Sequence, residues 1–342
     1  MNSQIIETDA VVIGSGPVGL FSVFELGLLD IKCEVVDILD KPGGQCAELY
    51  PDKPIYDIPG MPVVMGNELV KLLIKQINPF NPNFHLSSMI TELEREGDDL
   101  WKTKTDTGKA FLSKVVVIAA GGGSFQPKKP PIKGISEYEN KSVFYSIRDR
   151  KKFKGKNIVI VGGGDSALDW AIALNDDADS TTLIHRREEF RAAPETVNKV
   201  SSLISENKIK FHLGQVKSLN GKDGVLDNVV CSQGDNEIKI DCDTILPFFG
   251  LTMKLGPVAD WGINLNENLV SVDTEKFETD QKGIFAIGDI NTYPGKLKLI
   301  LCGFHEAALM AQKAHSYVYP DKKITFQYTT SSTDLRKKLG VL

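Results

Sequence analysis

The sequence predicts an α/β protein with a largely parallel sheet, organised around two copies of one nucleotide-binding unit. Three observations lead there. Apolar strands alternate with helical patterns along most of the chain, which is the signature of layered α/β architecture. Residues 11–19 read VVIGSGPVG, an apolar strand running into a glycine-rich turn. Residues 159–167 read VIVGGGDSA and repeat that transition. A chain of 342 residues has room for two ordinary domains, one around each turn.

Taken in order, DAVVIG (9–14) is a buried strand, LFSVFELGLL (20–29) a helix and CEVVD (33–37) the next strand. Residues 67–77 form an amphipathic helix behind the Pro/Gly-rich stretch KPIYDIPGMP (53–62). VVVIAAGGG (115–123) is a strand emptying into glycines, and the stiff QPKKPPIKG (126–134) after it marks a domain crossing. The second strand–turn–helix is NIVIVGGGDSALDWAIAL (157–174), with STTLIH (180–185) as its next strand. GIFAIGD (283–289) is a last strand, ahead of the helix GFHEAALMAQKAHSYV (303–318) and a polar tail containing TTSST (329–333).

Gly14, Gly16 and Gly19 give G-x-G-x-x-G between strand and helix, with Ser15 and Pro17 filling the turn. The first glycine permits the tight turn, the second lets backbone approach a pyrophosphate, and the third lets helix pack on strand. Asp37, ending the second strand, stands where an acid holds a ribose 2′-hydroxyl. In the second copy Gly162, Gly164 and Ala167 keep the pattern, with Gly163, Asp165 and Ser166 between them. The same distance from the first glycine now lands on His185, followed by Arg186, Arg187 and Arg191 in HRREEFR. A carboxylate repels a 2′-phosphate, whereas guanidinium groups grip it through a bidentate fork. The second turn therefore reads as NADP-binding, with the arginines carrying more of that reading than His185, which a structural cap would also explain. Two dinucleotides in one chain, one of them a flavin, can exchange a hydride where their rings meet.

The totals exclude other classes. A net charge of −5 argues against a dedicated nucleic-acid binder. No apolar run approaches the roughly 18 residues of a membrane span, and MNSQIIETDAVVIG has no basic leader, so a cytoplasmic protein is expected. The five cysteines, Cys33, Cys46, Cys231, Cys242 and Cys302, form no C-x-x-C pair and no zinc spacing, so no metal site is expected.

GSGPVG (14–19), GGQ (43–45), GGGDSA (162–167), HRREEFR (185–191) and TDQKGIFAIGDI (279–290) together resemble the two-dinucleotide-domain flavoproteins, close to low-molecular-weight thioredoxin reductases. Those enzymes carry a C-x-x-C just ahead of the second turn. Here that stretch is VFYSIRDRKKFKGKN (143–157), without sulfur, and disulfide exchange needs a thiolate. GGQCAELYPDKPIYDIPG (43–60), LGPVADWGINL (255–265) and the tail resemble instead the thioredoxin-reductase-like (type 2) ferredoxin–NADP reductases.

That resemblance implies two Rossmann-like domains: a discontinuous FAD domain, 1–118 and 251–342 with a tail at 320–342, and an inserted NADPH domain, 119–250. It implies a homodimer whose tail reaches the partner's flavin. It also implies FAD held by Asp37, Gln45, Tyr50, Ile90, Phe125, Asp289 and Thr330. Asp289, ending a buried strand, suits a ribityl hydroxyl; Tyr50 is an aromatic plate for the flavin ring. Tyr328 sits where the subgroup places a ring on the other flavin face, and His305 either lies near the flavin pyrimidine or starts a helix as a polar residue.

The partner expected is ferredoxin or flavodoxin. Lys128, Lys129, Lys133, Arg148, Arg150, Lys151, Lys152 and Lys154 would attract such an acidic carrier. No acid–base catalyst is required, since hydride passes directly between rings. The competing readings are a general NAD(P)H:acceptor reductase of quinones, flavodoxin or a disulfide partner, and a flavin redox sensor without turnover.

Overall fold

The strand Ala10–Ile13 leads into the first glycine turn because both of its faces are covered. Ala10 and Val12 point into one apolar cluster, Val11 and Ile13 into another, so period-two alternation becomes an uninterrupted apolar run. The computed structural model describes residues 5–324, 328 and 330–341, apart from residue 235; at 124–127, 233 and 251–253 it describes backbone alone. The chain divides into two compact units, Met1–Ser124 with Met253–Leu342, and Phe125–Thr252.

In the first unit a five-stranded parallel sheet has the order Ile284–Ala286, Val115–Ile118, Ala10–Ile13, Cys33–Val36, Asn83–His85. The chain leaves Ala10–Ile13 to one side through the helix Pro17–Leu28 and later returns on the other as Val115–Ile118. That reversal opens a crevice at the carboxyl ends of the two central strands, where such sheets bind ligands. The helices Gly66–Ile77 and Ile300–Val318 contribute Leu69, Val70, Leu73, Ala307, Met310 and Ala311 to the same cluster as Ala10 and Val12. Glu68 in the first turn of Gly66–Ile77 and Lys75 in its last complement the helix dipole.

The other cluster is shared with a four-stranded sheet: Ile5–Glu7, Ala110–Ser113, Leu100–Thr105 and Ile90–Glu96. Its last three strands run antiparallel, and the sequence reading named none of them. The signal was an alternation: Trp101, Thr103 and Thr105 turn inward, whereas Lys102 and Lys104 turn outward.

The second unit repeats the scheme with a four-stranded parallel sheet, Ile209–Leu213, Ser180–His185, Asn157–Val161, Thr244–Pro247. Val159 and Val161 pack into one cluster, Ile158 and Ile160 into the other. A three-stranded antiparallel sheet, Gln215–Lys222, Val225–Gln233 and Asn236–Asp241, joins the first of these clusters through Leu219, Val229 and Cys231.

Candidate functional site

Gly14 has φ +106°, and a Cβ there would lie 2.4 Å from the Ala119 carbonyl oxygen. A Cβ on Gly19 would lie 2.0 Å from the Gly14 carbonyl oxygen, so helix and strand approach only without side chains. A Cβ on Gly16 would make only an ordinary contact, with Gly44 Cα at 3.9 Å. Pro17 opens the helix, where a missing N–H costs nothing, and no side chain caps that end. The first-turn N–H groups are thus left for an anion.

Asp37 is buried and closes this loop. Its Oδ2 accepts from the Ser15 backbone N–H at 2.6 Å and the Ser15 hydroxyl at 2.7 Å, and its Oδ1 accepts from the Leu39 N–H at 2.9 Å. The Gly43 N–H donates to the Ser15 carbonyl at 2.8 Å, tying the GGQ turn, and with it Gln45, to the glycine loop. Ile90 is buried against Ile13 and Val36 at the strand tips.

Tyr50 and Cys46, one turn apart in the same segment, lie within reach of the Asp289 charge. The Cys46 thiol donates to the Tyr50 hydroxyl at 3.9 Å. Burial raises the Tyr50 phenol and pushes the Cys46 thiol up to about 11. Burial also raises the Asp289 carboxyl, opposed by Lys296 and Lys298. All five cysteines are free, and burial raises Cys231 and pushes Cys33 and Cys242 up to about 12. Thiols held this high stay protonated near neutral pH and are poor nucleophiles.

At the second turn the helix Asp165–Asn175 also begins without a side-chain cap, at Gly164. The His185 ring lies against Gly163, where a Cβ would sit 2.4 Å from it, and stacks on Phe190 with centroids 5.7 Å apart. Burial lowers its pKa, and the charges of Arg186, Arg187 and Arg191 push the same way. The imidazole wedges the loop. The Arg191 N–H donates to the Gly163 carbonyl at 2.7 Å, and Asp165 Oδ1 accepts from the Ala193 N–H at 2.9 Å. These bonds fold residues 185–193 back onto the glycine turn. Arg186, Arg187 and Arg191 are exposed and make no ion pair among the described residues; Ser166 is exposed beside them.

Tyr328 and Thr330 are on the surface, whereas the side chain of Phe125, like residue 329 of TTSST, lies outside the described residues. His305 is exposed in the first turns of its helix, with its ring edge-on to Phe277 at 6.3 Å, as a polar helix start would be. Sequence reasoning missed Glu306, which is fully buried and binds the Gly288 N–H next to Asp289. A single acid in the apolar run HEAALMA was the available signal.

Two doubly wound units with uncapped glycine turns, one acidic and one cationic at the ribose position, define a pyridine-nucleotide flavoprotein. The pyridine nucleotide-disulphide oxidoreductase family matches residues 8–312. The chain is 64% identical to the ferredoxin–NADP reductase of Parvibaculum lavamentivorans over all of both chains. It is 61% identical to that of Beijerinckia indica subsp. indica over 99% of each. The chain belongs to this family of ferredoxin–NADP reductases.

Among solved structures it is similar to Lactococcus lactis thioredoxin reductase in the FR conformation. The TM-score is 0.74 and the identity 26%, over 92% of this chain and 99% of that one. The T. acidophilum thioredoxin reductase shares the fold at TM-score 0.74 and 22% identity, over 91% and 98% of the two chains.

Proposed function

We propose that the chain carries electrons between NADPH and ferredoxin through bound FAD, without a redox-active disulfide. The full-length identity to ferredoxin–NADP reductases carries this reading. The residues present fit both nucleotides: each glycine turn leads into a helix whose first N–H groups have no side-chain cap, and the arginines at the second turn are free of ion pairs among the described residues.

When bound, FAD exchanges a hydride with the nicotinamide and single electrons with the carrier. The protein's own tasks are binding and placement. The amino end of Pro17–Leu28 would hold the FAD pyrophosphate, and Asp37, whose Oδ1 has spare lone-pair capacity, would take a ribose hydroxyl. Asp289 would take a ribityl hydroxyl and Tyr50 would pack on the ring, with Gln45 and Ile90 as further contacts. Arg186 and Arg187, with Arg191 beside them, grip the 2′-phosphate of NADPH. The two compact units correspond to an FAD domain and an NADPH domain.

The acidic carrier docks on lysines rather than on the whole basic segment. Lys129 is paired with Glu139 at 2.7 Å, and Arg150 is paired with Asp177. Lys128, Lys133, Lys151, Lys152 and Lys154 are exposed and make no ion pair among the described residues. Flavodoxin, a carrier of similar charge, is the second expected partner. The enzyme acts as a homodimer in the cytoplasm, with the exposed Tyr328 and Thr330 offered to the partner subunit's flavin.

Anaerobic stopped-flow tests the proposal. NADPH is expected to bleach the bound flavin, and an acidic [2Fe–2S] ferredoxin to restore its colour. A flavin that NADPH bleaches but only quinones or disulfides reoxidise would refute it.

A further inference from the structure

Glu306 has no exposed surface, yet its carboxylate is saturated with donors. Its Oε2 accepts from the Gly288 backbone N–H at 2.6 Å and from Asn291 Nδ2 at 2.9 Å. Its Oε1 accepts from the Tyr293 hydroxyl at 2.9 Å and from the Lys296 ammonium group. The Lys296 side chain is itself only 7% exposed. Asn291 Nδ2 also donates to the Ala286 carbonyl at 2.8 Å, which joins the end of the last parallel strand to the same carboxylate.

The group sits directly behind the FAD crevice. Gly288 lies against Val18, in the first turn of the helix that follows the first glycine turn; a Cβ at Gly303 would come within 2.3 Å of the same side chain. The strand end, the turn Gly288–Ile290, the start of Ile300–Val318 and the phosphate-facing helix therefore converge around one buried ion pair. A well-packed apolar pair would stabilise such a core about as well as the two charges do. What the charged pair adds is direction: it fixes the Gly288 N–H, and so the residue that follows it.

We propose that Glu306 is a positioning residue of the flavin site, which together with Lys296 fixes the turn carrying Asp289 and sets how tightly, and at what potential, the flavin is held. Removing one charge of the pair leaves the other uncompensated behind the crevice. Glu306→Gln exposes the site to the Lys296 charge and favours the reduced, more negative flavin; Lys296→Met does the reverse. The inference rests on the FAD reading above.

The test uses holoenzyme of the wild type, Glu306→Gln, Lys296→Met and the double variant. FAD release on dilution is followed by flavin fluorescence, and the midpoint potential by dye equilibration. Glu306→Gln is expected to release FAD at least tenfold faster with a more positive potential. Lys296→Met is expected to shift the potential the other way, and the double variant to return toward wild type. The KM for NADPH is expected to hold throughout.

Single variants that lose only thermal stability, keeping FAD release and potential, would overturn the proposal and leave a merely structural pair. Should Glu306→Gln not fold, Lys296→Met and Tyr293→Phe carry the test, and unchanged potentials in both would overturn it. A wild type that holds no flavin would instead end the FAD reading itself.

Discussion

At the first glycine turn a buried carboxylate closes the loop; at the second a backbone bond does, helped by the exposed Asp165. Asp37 is buried and spends three hydrogen bonds on Ser15 and Leu39 before any ligand arrives. Arg186, Arg187 and Arg191 are exposed, and the loop behind them is held by the Arg191 N–H on the Gly163 carbonyl. The same strand–turn–helix thus makes two kinds of site. One is preorganised around a buried charge, as a resident cofactor needs. The other presents exposed cations on a held backbone, which suits a nucleotide that must leave each cycle.

The largest expected effect breaks the first side of that contrast. Asp37→Ala orphans three donors in a buried loop, at about 1–3 kcal/mol each, so FAD retention should fall by two orders of magnitude or more. Equilibrium dialysis of the yellow protein checks it. Next, replacing Arg186 and Arg187 together with alanine removes charged hydrogen bonds of about 1.5–3 kcal/mol each. The kcat/KM for NADPH should fall about 10²–10⁴-fold, while that for NADH hardly changes. Equal losses with both nucleotides would dissolve the distinction between the two turns.

A smaller effect sharpens the backbone side. Gly163→Ala drives a methyl into the His185 ring, an overpacking worth about 1–3 kcal/mol. NADPH affinity should drop with FAD retention intact, and His185→Ala in the same chain should restore it. The smallest effect is on stability against pH. Burial lowers the pKa of His185, of His212 and of His315. A base with a depressed folded pKa favours the folded state above its unfolded value near 6.5. That contribution is lost as pH falls below this value. Urea midpoints should therefore decline from pH 6.5 downward, less steeply in His185→Gln.

Much of this was legible in the sequence. VVIGSGPVG and VIVGGGDSA mark their strands and helices because glycine spacing is dictated by backbone clearance, which is local. The exchange of Asp37 for His185–Arg186–Arg187 was legible because it occurs at a fixed distance from each turn. The hairpin strands 90–113 were missed, since half-buried alternation such as Trp101–Lys102–Thr103 is a weaker signal than an apolar run. Glu306 was out of reach for another reason: its meaning comes from Gly288 and Lys296, which only the tertiary fold brings to it. His185 was left between the phosphate and a structural role; its ring lies against Gly163, a contact that spacing cannot reveal.

The most direct measurement is NADPH-driven reduction of ferredoxin, coupled to cytochrome c, by enzyme in which all five cysteines are replaced with alanine. If electrons pass from FAD to the carrier with no thiol relay, the yellow variant should keep its rate within about twofold. A variant that stays yellow and is bleached by NADPH, yet no longer reduces ferredoxin, would contradict the account.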